Sequence, residues 1–251
     1  MRNWQISAPQ FAALYSSHQV ELLPYPFDIV LPYEYVELND KFFEEVRVAF
    51  NRPQFDHLRS AVKVLAEPEI YVQVSGINAQ GEKIRVIAAQ VQHLVAIAVQ
   101  LPGPSPMKGG DVIIAYSEAG KLGTQIVGVL PANASGTKEF ASRQESTQEQ
   151  EYDYSASIFT TVTATATRPR LEDVVSQIVG QGLVEVHSGP RHDRNGSHYK
   201  TKWIDIAADG RYVLGPKNFD NAVPCDPAGL IKRVDAMVLK TLQDVRNPDR
   251  Y

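Results

Sequence analysis

Hydrophobic and polar residues alternate with two different periods along this chain, and the period distinguishes helices from strands. Helical spacing of apolar residues predicts early helices over 7–15, 40–50 and 54–66. Ser7 and Asn39 are the predicted N-caps of the first two helices, and Pro53 opens the third. Between the first two lies ELLPYPFDIVLP, whose three prolines require extended backbone.

From Glu69 onwards the period changes to two. The segments EIYVQVS, KIRVIAAQV and LVAIAVQ are rich in Val and Ile and are separated by turn-forming residues, which predicts three strands of an antiparallel meander. The loop LPGPSPMKGGD precedes a fourth predicted strand, DVIIAY, and a short helix follows near residues 121–130.

The second half repeats this organisation after a different kind of segment. Residues 132–155 are polar and lack an apolar stripe, which predicts a mobile connector. The following run IFTTVTATAT fits a strand or a helix equally well, and Pro169 opens a predicted helix that ends at Gly180 or Gly182. Three strands then follow, with Asn195-Gly196 and Asp209-Gly210 as two-residue hairpin turns, before a last helix that Asp226 caps.

The two halves therefore share one plan. The segments GEKIRVIAAQVQHLVAIAVQ and GSHYKTKWIDIAADGRYVLG both consist of strand, turn and strand, and each follows a strand that ends near a Ser-Gly pair. We predict an α+β fold with a single domain over 1–251, in which the halves share one sheet. The boundaries are an N-terminal half 1–131, the connector 132–155 and a C-terminal half 156–251.

Composition narrows the class of protein. The 251 residues are 43% hydrophobic and carry a formal net charge of −4, so no overall positive field favours nucleic acid. The longest apolar stretch contains Gln90, Gln92 and His93, which argues against a membrane segment. The single cysteine, Cys225, suits a reducing compartment, and the N-terminus does not look like a signal peptide. We therefore expect a cytoplasmic protein.

One hairpin offers candidate chemistry. His187, His192 and His198 flank the Asn-Gly turn with Asp193 among them, and this group is the basis of an alternative function as a small metal-dependent α+β enzyme. The spacing matches no established zinc pattern, so we favour a solvated polar hairpin and expect no metal, no cofactor and no catalytic residue. Cys225 precedes a helix N-terminus, where a thiol can be activated, but a small buried residue is the favoured reading.

Charged residues on the same hairpins admit two interpretations. Positive charge gathers there and can either steer an acidic partner or simply solvate the surface; the residues are Arg191, Arg194, Lys200, Lys202 and Arg211. Arg211 can also pair with Asp205 or Asp209 across the Asp-Gly turn, which is a structural role. Phosphate-binding and serine-hydrolase motifs are absent, because AYSEAGKLG fails the P-loop spacing and neither GxGxxG nor GxSxG occurs.

Three features together resemble a known family. They are LPYPF at residues 23–27, a hairpin-rich first half that ends in a helix and Leu130-Pro131, and the block SGPRHDRNGSHYKTKWIDIAADGRYVLG followed by VPCDPAGLIKRVDAMVL. This combination resembles the EspG family, the cytosolic chaperones of type VII (ESX) secretion in actinobacteria. The resemblance spans nearly the whole chain and is sharpest in about the last seventy residues.

The resemblance implies both a fold and a function. The fold is a central, mostly antiparallel sheet flanked by two helical bundles, with its halves related by an approximate two-fold axis. The function is that of a non-enzymatic adaptor that binds the apolar tip of PE–PPE heterodimers, keeps them soluble and directs them to export. The family's contact surface comprises one sheet face, the loop between the second and third strands and the C-terminal helical bundle.

That surface can be carried over to this chain. With LPYPFDI counted as the first strand, the loop spans residues 76–81 and is expected to be small and mobile, although it can equally be an ordinary hairpin loop. The last helix carries an apolar stripe whose members face either the core or the partner. The expected partner-binding residues are Gly76, Ile77, Asn78, Ala79, Gln80, Val234, Met237 and Val238.

Overall fold

A computed structural model describes residues 2–18, 23–105, 108–118, 122–140, 170–190, 198–215 and 222–246. The strands in this part of the chain are β1 (Arg2–Ile6), β2 (Ile70–Ile77), β3 (Lys83–Val91), β4 (Leu94–Pro102), β5 (Gly109–Glu118), β6 (Ile178–Ser188), β7 (His198–Ile206), β8 (Arg211–Leu214) and β9 (Ala222–Pro224). The helices are α1 (Ala8–Tyr15), α2 (Val36–Phe50), α3 (Asp56–Ala66), α4 (Leu122–Gly128) and α5 (Pro227–Arg246).

All nine described strands join one antiparallel sheet in the order β1-β5-β4-β3-β2-β6-β7-β8-β9. The two halves meet at the β2–β6 pair, whose register runs from Ile70 opposite Ser188 to Ile77 opposite Gln181. Outward from this junction the strands follow in chain order on each side, β2 to β5 and β6 to β9. The predicted α+β fold with one sheet shared by both halves is therefore confirmed.

Helices cover both faces of the sheet. On the first face, α1, α2 and α3 pack through side chains such as Phe11 and Leu65 against Ile87 and Ile114 of the sheet. On the second face, α4 and α5 pack against the central strands through a second core. Burial of these apolar side chains is the main stabilising contribution to such a layered fold. No helix in the described ranges is both long enough and apolar enough to cross a membrane.

Two helices, α1 and α5, begin at the N-caps that the sequence predicts. Ser7 Oγ accepts a hydrogen bond from the Gln10 amide at 3.3 Å, and Gln10 Oε1 accepts one from the Ser7 amide at 3.0 Å, so α1 begins with a capping box. At α5 the Gly229 amide donates to Asp226 Oδ1 at 2.6 Å. Both caps satisfy amide groups that have no partner inside the helix.

Asn39 does not cap α2, which begins three residues earlier at Val36. Its buried side chain instead donates to the carbonyl oxygens of Tyr33 and Tyr35, at 2.8 and 3.1 Å, and accepts from the Tyr33 amide. The residue thus fixes the loop that leads into the helix from a position inside the first turn. In the sequence, an Asn in the first turn that hydrogen-bonds to preceding backbone groups cannot be told from an Asn that caps the helix.

The prediction of a helix after Pro169 is wrong. Residues Leu171–Gln177 form a 3₁₀ segment, and the chain then enters β6 at Ile178. Gly182 lies inside this strand opposite Trp203, where any Cβ atom would collide with the indole ring. The glycine therefore makes room for a tryptophan across the sheet rather than ending a helix.

The first strand is also not the predicted one. LPYPFDI lies outside the sheet, and the edge position belongs to β1, which pairs with β5 over Arg2–Ile6. Five residues are too short a run to reveal a strand by periodicity, and the partner strand lies more than 100 residues away in sequence. Residues 78–82 join β2 to β3, so Gly76 and Ile77 of the predicted loop 76–81 belong to β2 instead.

The turn between β7 and β8 contains four residues, Ala207–Gly210, so the predicted two-residue Asp-Gly turn is wrong. The positive φ, 55°, is at Ala208. Gly210 is required for another reason, because a Cβ atom there would lie 2.5 Å from the carbonyl oxygen of Ser135. The Asn195-Gly196 turn lies outside the described residues.

The segment that passes Gly210, residues 131–140, is termed the strap. Backbone hydrogen bonds join it to the start of β8, from the Arg211 amide to Ala134 O at 2.7 Å and from the Gly136 amide to Arg211 O at 3.0 Å. Phe140 of the strap is buried in a third cluster with β7 and β8 on the first face. Residues 132–140 of the predicted mobile connector are thus held in place, while 141–155 and the IFTTVTATAT run lie outside the described residues.

Candidate functional site

An open groove crosses the centre of the first face, between the surfaces that the N-terminal helices and the strap cover. Its floor consists of the ends of β2 and β6, which are paired there over residues 75–77 and 181–183, and its volume is about 660 Å³. On β6 the first-face side chains of Val179 and Gln181 are exposed and the following ones are half-buried, while the alternate residues are buried. The centre of the sheet is therefore accessible from one side only.

One wall of the groove is the loop that contains LPYPF. The buried side chain of Gln100 forms two hydrogen bonds with this loop. It accepts one from the Asp28 amide at 2.8 Å and donates one to the Asp28 carbonyl oxygen at 2.7 Å. Asp28 Oδ2 also accepts from the Gly109 amide at 3.1 Å. These bonds fix residues 25–28 at the rim of the groove.

Four cationic side chains line the groove. Lys83 and Arg85 lie on β3 and Lys200 and Lys202 on β7, so the neutral β2–β6 floor has two positive charges on each side. These four cations outnumber Asp28, the one carboxylate among the described residues that line the groove, and the formal net charge of the whole chain is −4, so the groove differs in sign from the molecule. Such a local field favours a partner with acidic side chains.

The loop between β2 and β3 is held together by Asn78. Its Oδ1 accepts from the amides of Gln80 and Glu82, at 3.0 and 2.9 Å, and its backbone amide donates to Glu82 O at 3.0 Å. Gly81 adopts a φ of 79°, which suits glycine. The loop is thus an organised turn, which agrees with the alternative of an ordinary hairpin loop.

The other predicted loop residues have separate roles. Ile77 is half-buried and lines the groove, whereas Gly76 lies opposite Gly182, beneath the ring of Trp203. Ala79 lies in the turn that Asn78 organises. Of this group, Ile77 offers an apolar side chain to the groove.

The α5 stripe divides between core and surface. Val234 and Val238 belong to the second core and are 0% and 8% exposed, while Met237 packs at its margin and is partly exposed. Positions 230, 234 and 238 repeat every four residues, so they follow the helix face that meets the sheet. In the free protein Val234 and Val238 therefore offer no surface to a partner, contrary to expectation.

A family model of the EspG family matches residues 7–236. The chain belongs to the EspG family. It is also similar to a solved structure from Mycobacterium tuberculosis, the type VII secretion system chaperone EspG5 in complex with a PE25–PPE41 dimer. The TM-score is 0.57 at 13% identity, and the match covers 94% of this chain and 96% of that chain, a likeness in fold. A comparison with curated proteins found no match.

The charged residues of the C-terminal hairpins in this EspG-family chain have distinct positions. Arg211 is buried and forms a two-pronged ion pair with Asp205, at 2.8 and 2.9 Å, and it also donates to Pro131 O at 2.8 Å. This confirms the predicted pairing. Lys200 and Lys202 line the groove, whereas Arg191 and Arg194 lie outside the described residues.

The predicted histidine group is partly assembled. His187 and His198 face each other across β6 and β7 with their ring centroids 4.2 Å apart. His192 and Asp193 lie outside the described residues. Glu185, which sequence reasoning missed, completes the cluster, because its Oε1 lies 3.1 Å from His198 Nε2, within hydrogen-bond distance. Its position two residues before His187 on a strand was the available signal.

Cys225 lies just before α5 and is buried. Burial first, and then the negative charge of Asp226, raise the pKa of its thiol. A nucleophilic cysteine requires the opposite shift, because the thiolate is the reactive form. The environment therefore matches the predicted role of a small buried residue.

Proposed function

We propose that this EspG-family protein is a cytoplasmic chaperone and adaptor of type VII (ESX) secretion that performs no reaction. Its partners are PE–PPE heterodimers, whose exposed apolar tip it covers until export. The observation that carries the proposal is the family match over residues 7–236. The similar EspG5 structure, which contains a PE25–PPE41 dimer, supports the same partner class.

The groove is the proposed contact surface. An exposed apolar tip promotes aggregation, and a rigid, half-apolar surface that covers it keeps the partner soluble. Ile77 and Leu183 supply apolar surface on the floor, and Lys83 and Lys200 supply charge at the sides. A stable complex should bury more than roughly 1,000 Å² in total, with its affinity concentrated in a few anchors.

The β2–β3 loop extends the proposed surface at one end of the groove, whereas Met237 lies on α5, on the second face of the sheet, and is proposed as a separate contact. Because Asn78 already fixes the loop, binding does not have to order it, and the entropic cost of association is smaller. Gly76 supports this region from within the sheet. The comparisons give no support to the metal-dependent enzyme that the sequence left open.

Co-expression tests the proposal. The chain, without a tag, is produced together with the PE–PPE pair encoded nearby and analysed by size-exclusion chromatography. We expect the three proteins to elute together, and the PE–PPE pair expressed alone to be less soluble. Failure to co-elute with any PE–PPE pair of the same genome would contradict the proposal.

A further inference from the structure

Three potential metal ligands converge on the first face, next to the groove. Glu185 and His187 are two residues apart on β6 and therefore point to the same side of the sheet, and His198 lies directly opposite His187 on β7. One ligand atom from each of the three side chains lies within 4.8 Å of the other two. This arrangement does not depend on the proposed function.

The sheet holds the cluster in position. Tyr71, His187 and His198 occupy one row across the paired strands β2, β6 and β7. The rings stack in that order, with centroid separations of 4.7 Å and 4.2 Å and interplanar angles of 9° in both pairs. Tyr71 is buried and supports His187, whereas His198 at the outer end of the row is exposed.

The distances suit coordination after one side-chain rotation. Two ligands of a tetrahedral zinc ion lie about 3.3 to 3.6 Å apart, given metal–ligand bonds of about 2.0 to 2.2 Å. Glu185 Oε1 and His198 Nε2 are 3.1 Å apart before that rotation. Because the rings of His187 and His198 are stacked, their nitrogen lone pairs lie in parallel planes and cannot point at one ion. One ring must therefore turn, and the exposed His198 ring has the freedom to do so.

We propose that Glu185, His187 and His198 form a binding site for a divalent zinc ion. Two imidazole nitrogens and one carboxylate oxygen are a donor set that zinc accepts, and three protein ligands leave a coordination position for water. The sequence prediction of no metal rested on His187, His192, His198 and Asp193 and did not include Glu185.

Calorimetric titration of the full, tag-free chain with zinc chloride tests the site. We expect one zinc ion per chain, and an affinity at least about tenfold lower in Glu185→Gln and in His198→Asn, since loss of even a supporting group costs a metal site that much. The matched control is His93→Asn, because His93 is an exposed histidine in the β3–β4 turn, and it should bind like the wild type.

Cobalt gives a second readout that reports on the ligands. We expect a visible ligand-field absorption for cobalt bound to the wild type and to His93→Asn, and its loss in the two site variants. Thermal unfolding without metal should give equal midpoints for all four proteins, which shows that the variants fold. Absence of stoichiometric binding at millimolar zinc, or equal affinity in the site variants and the control, would overturn the proposal.

Discussion

Gly182 lies directly opposite Trp203 in the β6–β7 pair, and Gly76 lies opposite Gly182 in the β2–β6 pair. Trp203 is 1% exposed, so its ring fills the space above both glycines. The two small residues and the one large residue form a single packing unit at the junction of the halves. Close packing of this kind leaves no room for added atoms.

Replacement of Gly182 by alanine should therefore destabilise the protein. We expect the free energy of unfolding to fall by about 1–3 kcal/mol, the usual cost of overpacking a core, as measured by urea unfolding followed by circular dichroism. Gly128→Ala is the matched control, because a Cβ atom at this helical position meets no atom within 4 Å. The control should be neutral or slightly stabilising. Equal losses in both variants would contradict this packing account.

The strap shows how an irregular element can be fixed by a few polar groups. Asp209 accepts hydrogen bonds from the Thr137 amide, the Thr137 hydroxyl and the Tyr212 hydroxyl, at 2.9, 2.8 and 2.6 Å. Tyr212 in turn accepts from the Lys138 amide at 2.8 Å. Burial acts to raise the pKa of Asp209, but these hydrogen bonds and the charge of Lys138 hold the pKa below its usual value of 3.8.

Loss of the Asp209 charge should therefore destabilise the strap. At pH 7 we expect Asp209→Asn to lower the free energy of unfolding by about 2 kcal/mol, since hydrogen bonds to charged groups contribute most. The folded carboxyl has a lowered pKa, so its stabilisation is present above about pH 4 and disappears as pH falls below that value. Urea unfolding at pH 7 and between pH 3 and 4 should show the gap between wild type and variant shrinking. A gap independent of pH would contradict this role.

The pKa of Tyr212 is shifted in the opposite direction, so this residue affects stability at high pH. Burial, followed by the hydrogen bond to Asp209, raises the pKa of Tyr212 to about 12. The protonated phenol therefore stabilises the folded state below the ordinary tyrosine pKa of about 10, and this contribution is lost as pH rises to about 12. Spectrophotometric titration should show an ionisation near pH 12 that Tyr212→Phe removes. Ordinary titration of every tyrosine would contradict the assignment.

Sequence periodicity predicted most elements, and the exceptions have physical causes. Local signals were sufficient for α1 and α5, where Ser7 and Asp226 provide the caps, and for the strands from β2 to β5. They failed at Gly182, whose reason lies across the sheet at Trp203, and at the short edge strands β1 and β9. The strap has no period at all, because polar contacts with Asp209 and β8 determine its path.

The groove was harder to predict than the sheet beneath it. The period of two in KIRVIAAQV could have placed Lys83 and Arg85 on one face, but their proximity to Lys200 and Lys202 depends on the β2–β6 junction. That junction joins segments more than 100 residues apart. The buried Gln100, which fixes the groove wall, carries no sequence signal beyond an interruption in an apolar strand.

At the scale of the whole molecule, one sheet with a core on each face implies that the two halves unfold together. The sequence contains two tryptophans, Trp4 on β1 and Trp203 on β7, so each half carries one probe. In protein labelled with fluorotryptophan, both fluorine resonances should lose their native signals at the same urea concentration. Two clearly separated midpoints would show that the halves fold as independent units.

The central claim is that the groove on the shared sheet is the surface that binds the partner. Its most direct test is the affinity of the chain for its co-eluting PE–PPE pair. The variant is Ile77→Asp, on the groove floor. The control is Val48→Asp on the outer surface of α2, where Val48 is 65% exposed. We predict that Ile77→Asp binds at least about tenfold more weakly, a loss of about 1.4 kcal/mol, with an unchanged unfolding midpoint, and that Val48→Asp binds like the wild type. Wild-type affinity in a folded Ile77→Asp protein would contradict the account.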